Sequence, residues 1–480
     1  GWSWLAHQAG LRGWVAQLPG LVHVTAAAYV STAYARSDWP EFVATSALPL
    51  VVAAAWWLLR APRWRPWPVV AFLAAVLLLT GSHNLSLVWG ATFLALLSAT
   101  TLVALGRDVA GIGARRIAAV AGLASLAIVL NGWFLVPDIV FSSRIHNPGS
   151  VAGYDYFNTA RLVFSPAPLS PDLAKVSNAS ERATTWPREY VQIPVLALAW
   201  ALLACAPLLR RRGPWRRLAL GLLAMLAFFL VLVLRGDPAI GGAGRWLWTH
   251  LPHFLRYTQF ALRMHAYVAI LVAGLVLLGL VALRPRRPRA RLAFAGALGA
   301  ICAYMFGVAL WQAWVTPNAV YAHRSQLFAG AITATPESWG DTGNYRDYRS
   351  REIAVARERS LRLAPELAVR GLPGDPAAVP PGPAPIGTNI AASPDMVRLR
   401  GLRPVGRLAA REDPGGFNPI GLMVVQRGAG EPAAGPVRWT VARAKSGPMV
   451  AGPLVTVLGL AGLLALGALG SRRRRRRRRR

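Results

Sequence analysis

Three stretches of this chain hold residues that can do acid–base or anion chemistry, and each borders a long apolar run. The first is Asp38-Trp39-Pro40-Glu41-Phe42. A carboxylate there, Asp38 or Glu41, can act as a general base or help to hold a divalent cation. The same residues also suit a helix start, where proline is tolerated and acids meet the positive end of the helix dipole. The second stretch is Ser82-His83-Asn84, set between "AAVLLLT" and "LSLVWGATFLAL". Polar groups at such a place are costly unless they face a cavity or a partner. His83 and Asn84 can line a substrate site; Ser82 and Asn84 can equally cap the following helix. The third stretch is "HLPHFLRYTQFALRMHAY", from His250 to Tyr267. On a continuous helix Arg256, Gln259 and Arg263 fall near one face, with His265 close behind. Such a face suits a phosphate or pyrophosphate, because the guanidinium fork binds that group through paired hydrogen bonds. It also suits an interfacial helix whose arginines reach lipid head groups. Asp138, Arg144, His146, Tyr154 and Asp155 form a fourth polar set, which reads first as an ordinary loop.

The elements that must position these residues are apolar helices. The chain has 480 residues, 54% of them hydrophobic. Runs such as "AYVAILVAGLVLLGLVAL" are apolar all round and long enough to cross a bilayer core of roughly 30 Å. A soluble helix would be apolar on one face only. The fold class is therefore an all-α polytopic membrane protein. Nine apolar segments can be drawn: 41–59, 69–80, 85–105, 117–137, 192–209, 218–234, 266–283, 293–314 and 452–469.

Charge orients these segments. The net charge is +33, and arginine supplies nearly all the positive residues, lysine occurring only at Lys175 and Lys445. The arginines cluster in short loops: "RAPRWRPW" (60–67), "RDVAGIGARR" (107–116), "RRRGPWRR" (210–217) and "RPRRPRAR" (284–291), with a poly-arginine tail at 470–480. All fall on one side if the nine segments alternate. The positive-inside rule makes that side cytoplasmic. This distribution is the mark of membrane topology, and no nucleic-acid partner is expected. Nearly all acids and histidines fall on the opposite side, so an active site belongs there.

The expected organisation follows. Residues 1–40 form an extracytoplasmic or interfacial segment. Residues 41–314 form the helical domain, with external loops 141–191 and 235–265. Residues 315–451 form a small extracytoplasmic domain, β-rich from runs such as "GLMVVQR" and "VRWTVAR". A last helix spans 452–469. The chain opens on Gly1 without a signal peptide, so an upstream segment with further spans is expected. Cys205 and Cys302 lie inside apolar runs and support neither a disulfide nor a thiolate metal site. Walker, Rossmann, HExxH and nucleophile-elbow patterns are missing from the sequence, which argues against a nucleotide-driven pump.

The segments "LLLTGSHNLSLVWGA", "GWFLVPDIV", "LRYTQFALRMHAYVA" and "AYARSDWPEFVATSALPL" resemble bacterial membrane proteins of the YfhO type. They are also similar to membrane proteins described as related to 6-pyruvoyl-tetrahydropterin synthase. Both groups belong with the GT-C glycosyltransferase superfamily, and the likeness covers most of residues 20–315. It implies many transmembrane helices with an active site on the outer face of the bacterial cytoplasmic membrane. It implies sugar transfer from a polyprenyl-phosphate donor to an extracytoplasmic envelope acceptor, glycan or lipid. It implies a catalytic carboxylate in an early external loop, here Asp38 or Glu41 or an acid further upstream, with a divalent cation as the one conceivable cofactor. His83, Asn84, Arg256, Gln259, Arg263 and His265 would then bind the donor. The sequence departs from the aromatic-rich form of the family's Gln-Phe motif by reading Gln-Phe-Ala-Leu-Arg. The competing expectations are a transporter or flippase for a lipid-linked or anionic substrate, and a non-catalytic scaffold of envelope assembly.

Overall fold

A computed structural model describes residues 1–30, 32–33, 39–110, 112–141, 145–146, 160–167, 192–210, 212–237, 239–256, 258, 261–283, 288–329 and 450–462, with short strand segments between 349 and 443. The described residues are mostly helical. The chain opens with α1 (Trp2–Gln8), α2 (Leu18–Val24) and α3 (Ala27–Val30). Next come α4 (Trp39–Arg60), α5 (Pro66–Ser82), α6 (Asn84–Ala110) and α7 (Ala114–Leu130). They are followed by α8 (Gly132–Phe141), α9 (Ala160–Val163), α10 (Val195–Arg210) and α11 (Pro214–Val233). The rest are α12 (Gly241–His250), α13 (His253–Arg256), α14 (His265–Leu283), α15 (Pro288–Ala329) and α16 (Val450–Gly462). Pro66 and Pro214 open α5 and α11, where their missing N–H has no helical partner to lose.

Among the described residues the apolar segments are largely helical, and five of the helices are long and apolar enough to cross a membrane. These are Trp39–Arg60, Asn84–Gly106, Pro214–Val233, His265–Leu283 and Leu292–Trp311. A sixth results if Ala114–Leu130 and Gly132–Val140 count together. The single span expected at 117–137 is broken at Asn131. Its side-chain Nδ2 donates to the Leu77 carbonyl (2.8 Å) and to Thr80 Oγ1 (2.6 Å), so α7 stops where it is pinned to α5.

The helical unit comprises residues 1–131 and 149–327. α14 is its centre: 78% of its apolar window is buried, against 22% for the windows in α6 and α15. α10 and α11 pack along it. Gly279 permits the α10 contact, since a Cβ there would stand 2.8 Å from Ala204 Cβ. Small residues play this part wherever apolar helices approach closely.

Residues 1–30, which belong to the segment expected to be extracytoplasmic or interfacial, pack along α4 and α14. Gln8 Nε2 donates to the Ala53 carbonyl within α4 (3.0 Å). The Trp4 ring lies 4.4 Å from Trp67 at the start of α5. Trp2 sits over Gly274, midway along α14, and its indole N–H donates to His23 Nδ1 (3.1 Å). Composition hid this, because histidines, glutamines and glycines lower the hydropathy of a segment that still buries Leu11, Leu18 and Val22.

A second unit comprises residues 132–148 and 328–480. Within it α8 lies against α16: the Trp133 N–H donates to Thr456 Oγ1 (3.0 Å), and Gly452 meets the Trp133 backbone. Strand 423–426 pairs antiparallel with 384–386 and 403–404, and 397–400 pairs with 440–443. The β-rich domain expected at 315–451 falls largely on residues outside those described, as do most of the loop 141–191 and the arginine tail.

Candidate functional site

α4 and α14 begin, and α5 ends, at one end of the helical unit. Three of the residues singled out by sequence meet there. Glu41 stands in the first turn of α4 and is 2% exposed. His83 is the one extended residue between α5 and α6, with φ −151° and ψ 123°. Arg263 lies in a 3-10 turn, Ala261–Met264, that leads directly into α14.

The Arg263 guanidinium links the other two. Its Nε lies 3.6 Å from Glu41 Oε2, and its Nη1 donates to His83 Nε2 (3.3 Å). On its other side the His83 ring meets Ser86: the Ser86 amide N–H donates to Nδ1 (3.2 Å), as the turn into α6 brings it near, and Ser86 Oγ lies 2.9 Å from the same nitrogen. Glu41 and Arg263 side chains are 3% and 8% exposed. Two ions this deep are stable only as a pair, because each alone would forfeit several kcal/mol of hydration.

Beneath the charges lies an aromatic floor. Tyr267 stacks on Phe229 with centroids 5.3 Å apart, and Phe93 lies 5.5 Å from the Tyr267 ring. The Tyr267 hydroxyl donates to the Ser86 carbonyl (3.4 Å). Trp89 packs on Phe229 and Trp248 and donates its indole N–H to Thr258 Oγ1. His265 is 2% exposed, and among the described residues neither of its ring nitrogens meets a hydrogen-bond partner. An unmet buried polar group of this kind costs about 1–3 kcal/mol, which a ligand's polar group would relieve.

Asp38 and Gln259 lie outside the described residues. Asn84 is half-buried, and its Oδ1 accepts from the adjacent Leu85 amide (2.7 Å), as a helix start does. Arg256 is exposed at the end of α13. Arg256 and Arg263 do not share one helical face, because no single helix runs from 251 to 267. α13 ends at Arg256 and the chain resumes as a 3-10 turn at Ala261. Thr258 holds the break, donating to the Leu255 carbonyl (3.1 Å) while accepting from Trp89.

Ser86, Trp89, Tyr267 and Thr258 were not singled out by sequence. Ser86 had a signal, standing one helical turn after His83. Asp237 is another missed polar residue, in the turn between α11 and α12. Its carboxylate accepts from the amides of Ala160 (2.6 Å) and Ala239 (2.8 Å). Those N–H donors hold its carboxyl below the ordinary value of 3.8.

The site thus brings a buried guanidinium, a carboxylate and the His83 ring together, beside a histidine whose ring nitrogens meet no hydrogen-bond partner among the described residues. It fits a divalent cation poorly: Glu41 and His83 both face a guanidinium, and the described residues hold no group of three His, Cys, Asp or Glu able to bind a metal. No protein-family profile matches the chain, and neither curated proteins nor solved structures include a significant match to it.

Proposed function

We propose that the protein is an integral membrane glycosyltransferase of the GT-C kind, akin to YfhO-type proteins. It moves a sugar from a polyprenyl-phosphate donor to an acceptor on the outer face of a bacterial cytoplasmic membrane. In this reading the chain crosses the membrane nine times, with the arginine-rich end cytoplasmic. Residues 315–451 form a β-rich external domain beside the acceptor. The observation that supports the reading is the buried meeting of Glu41, His83 and Arg263 at the end of the unit opposite the arginine-rich loops.

The donor's phosphate takes the place of Glu41 on Arg263. That exchange keeps the cation neutralised and releases the carboxylate. The acceptor hydroxyl attacks the sugar's anomeric carbon, the carbon–oxygen bond to phosphate breaks, and polyprenyl phosphate leaves with the electron pair. Arg263 stabilises the charge that grows on the leaving phosphate. Glu41, or Asp38 close by in sequence, accepts the acceptor's proton. His83 holds the guanidinium in register, and His265 meets a donor hydroxyl.

The test supplies radiolabelled polyprenyl-phosphate sugars to membranes carrying the protein. Label should enter envelope glycans, and Arg263→Lys and His83→Ala should abolish it at unchanged protein level. Undiminished transfer by Arg263→Lys would overturn the phosphate role, since lysine keeps the charge but loses the fork. One observation favours a second reading, an anion transporter or flippase. The helix break at Thr258 is followed by a buried charge pair at Arg263, as at the binding sites of transporters. Movement of intact donor across the membrane, without bond exchange, would select it.

A further inference from the structure

His83 is fixed on one side of its ring and meets Arg263 on the other. It directly precedes α6, and its carbonyl accepts the first amide bond of that helix, from Leu87 (2.9 Å). It is therefore the N-cap residue. Ser86 occupies the third position of α6. That is the position whose amide an N-cap side chain meets, and whose own side chain can turn back to the cap. Both halves of the arrangement are present. The Ser86 amide N–H donates to His83 Nδ1 (3.2 Å), and Ser86 Oγ lies 2.9 Å from the same nitrogen. With Nδ1 held against the start of α6, the far nitrogen Nε2 is left for Arg263, whose Nη1 stands 3.3 Å from it.

Ser86 is 5% exposed, and each of its polar groups is turned to this site. Its carbonyl accepts from the Tyr267 hydroxyl (3.4 Å). Tyr267 stands one helical turn after Arg263. The start of α6 is thus tied to the start of α14 twice, through Ser86 and Tyr267 and through His83 and Arg263. The amide and carbonyl belong to the backbone and would be there with any residue. The hydroxyl is what serine adds. A hydroxyl both donates and accepts, whereas an imidazole nitrogen does one or the other in a given state of the ring. Ser86 Oγ can therefore stay with Nδ1 whichever ring nitrogen carries the proton.

We infer that Ser86 is a positioning residue: its hydroxyl holds the His83 ring so that Nε2 faces the Arg263 guanidinium. The hold on the ring rests on the geometry alone. Its consequence for rate rests on the sugar-transfer reading, in which Arg263 must keep its place as charge grows on the leaving phosphate.

The test uses the full chain in detergent, with its histidines isotopically labelled on the ring nitrogens for magnetic resonance. The His83 signals are identified by their loss in His83→Gln. In Ser86→Ala they should move, and their change with pH should shift, while the other histidine signals stay. Ser86→Thr keeps the hydroxyl and should return them. In the radiolabel assay Ser86→Ala should lower kcat about tenfold per folded molecule, the scale of one hydrogen bond, with the donor KM within about twofold. Ser86→Thr should restore most of the rate. A purely structural serine would change the yield of folded protein and leave the His83 signals and kcat alone. Unmoved His83 signals in Ser86→Ala would overturn the inference, whatever the transfer rate. Moved signals with kcat unchanged would overturn the role in the reaction. Absence of transfer by the unaltered protein would remove the sugar-transfer reading, and the His83 signals would then decide the hold on the ring by themselves. If Ser86→Ala fails to fold, Ser86→Cys, a weak hydrogen-bonding partner of similar size, takes its place.

Discussion

Two buried polar clusters hang on the last turns of α5, and they are built on opposite plans. Asn131, Thr80 and the Leu77 carbonyl form a neutral cluster. Asn131 donates twice, and Thr80 donates on to the Val76 carbonyl (2.8 Å), so the hydroxyl both accepts and donates. A few residues later, Glu41, His83 and Arg263 form a charged cluster with an unsatisfied histidine, His265, beside it. The first plan closes on itself and joins two helices. The second pairs opposite charges and leaves the His265 ring without a hydrogen-bond partner among the described residues. The difference separates neutral groups that satisfy one another by hydrogen bonds from ions that are stable at this depth only as a pair.

The sharpest way to break this comparison is to remove one charge. Arg263→Met should strand a buried carboxylate and destabilise the protein by about 3–5 kcal/mol, measured by unfolding in detergent. Adding Glu41→Gln to it should recover much of that loss. If the double variant is the weaker of the two, the pair is not the unit described. Asn131→Ala should cost less, about 1–3 kcal/mol, and leave transfer per folded molecule unchanged. A loss of transfer there would merge the two clusters into one. His83→Ala should shift stability by under about 1 kcal/mol but lower transfer about a hundredfold, since it orients the guanidinium rather than holding helices. Asp237 gives the smallest effect, as a carboxylate held by amides instead of arginine. Its folded carboxyl titrates below the ordinary 3.8. The unfolded chain therefore binds its proton first as pH falls, so the stabilisation is whole above that value and fades beneath it. Asp237→Asn should remove that part of the acid-side loss, visible as a flatter unfolding temperature between pH 5 and about 3.

Much of the fold was legible because runs of apolar residues over full turns leave the chain no other way to satisfy its backbone. α4, α6, α11 and α14 begin and end close to where hydropathy sets them. What hydropathy cannot see is a break inside an apolar run. Asn131-Gly132 is a turn-forming pair, yet it sits in a stretch greasy enough to read as one span. The same blindness made 251–267 a single helix, because the Trp89–Thr258 contact that holds the break joins residues far apart in sequence. Residue type marked Glu41, His83 and Arg263 as candidates, each from a polar residue at the edge of an apolar run. Their meeting was not legible, since it depends on three helix ends reaching the same level. Arg256 shows the converse: it shares the residue type of Arg263 and stays on the surface.

The packing of residues 2–24 on α4 and α14 also bears on how the protein is made. This segment leaves the ribosome long before α14 has been synthesised. Its docking surface on α14 does not exist until that helix enters the bilayer. Until then Trp2, Leu11, Leu18 and Val22 have only part of their final neighbours. Residues made well before α14 thus settle only after it, as a wedge driven in once that wall is standing.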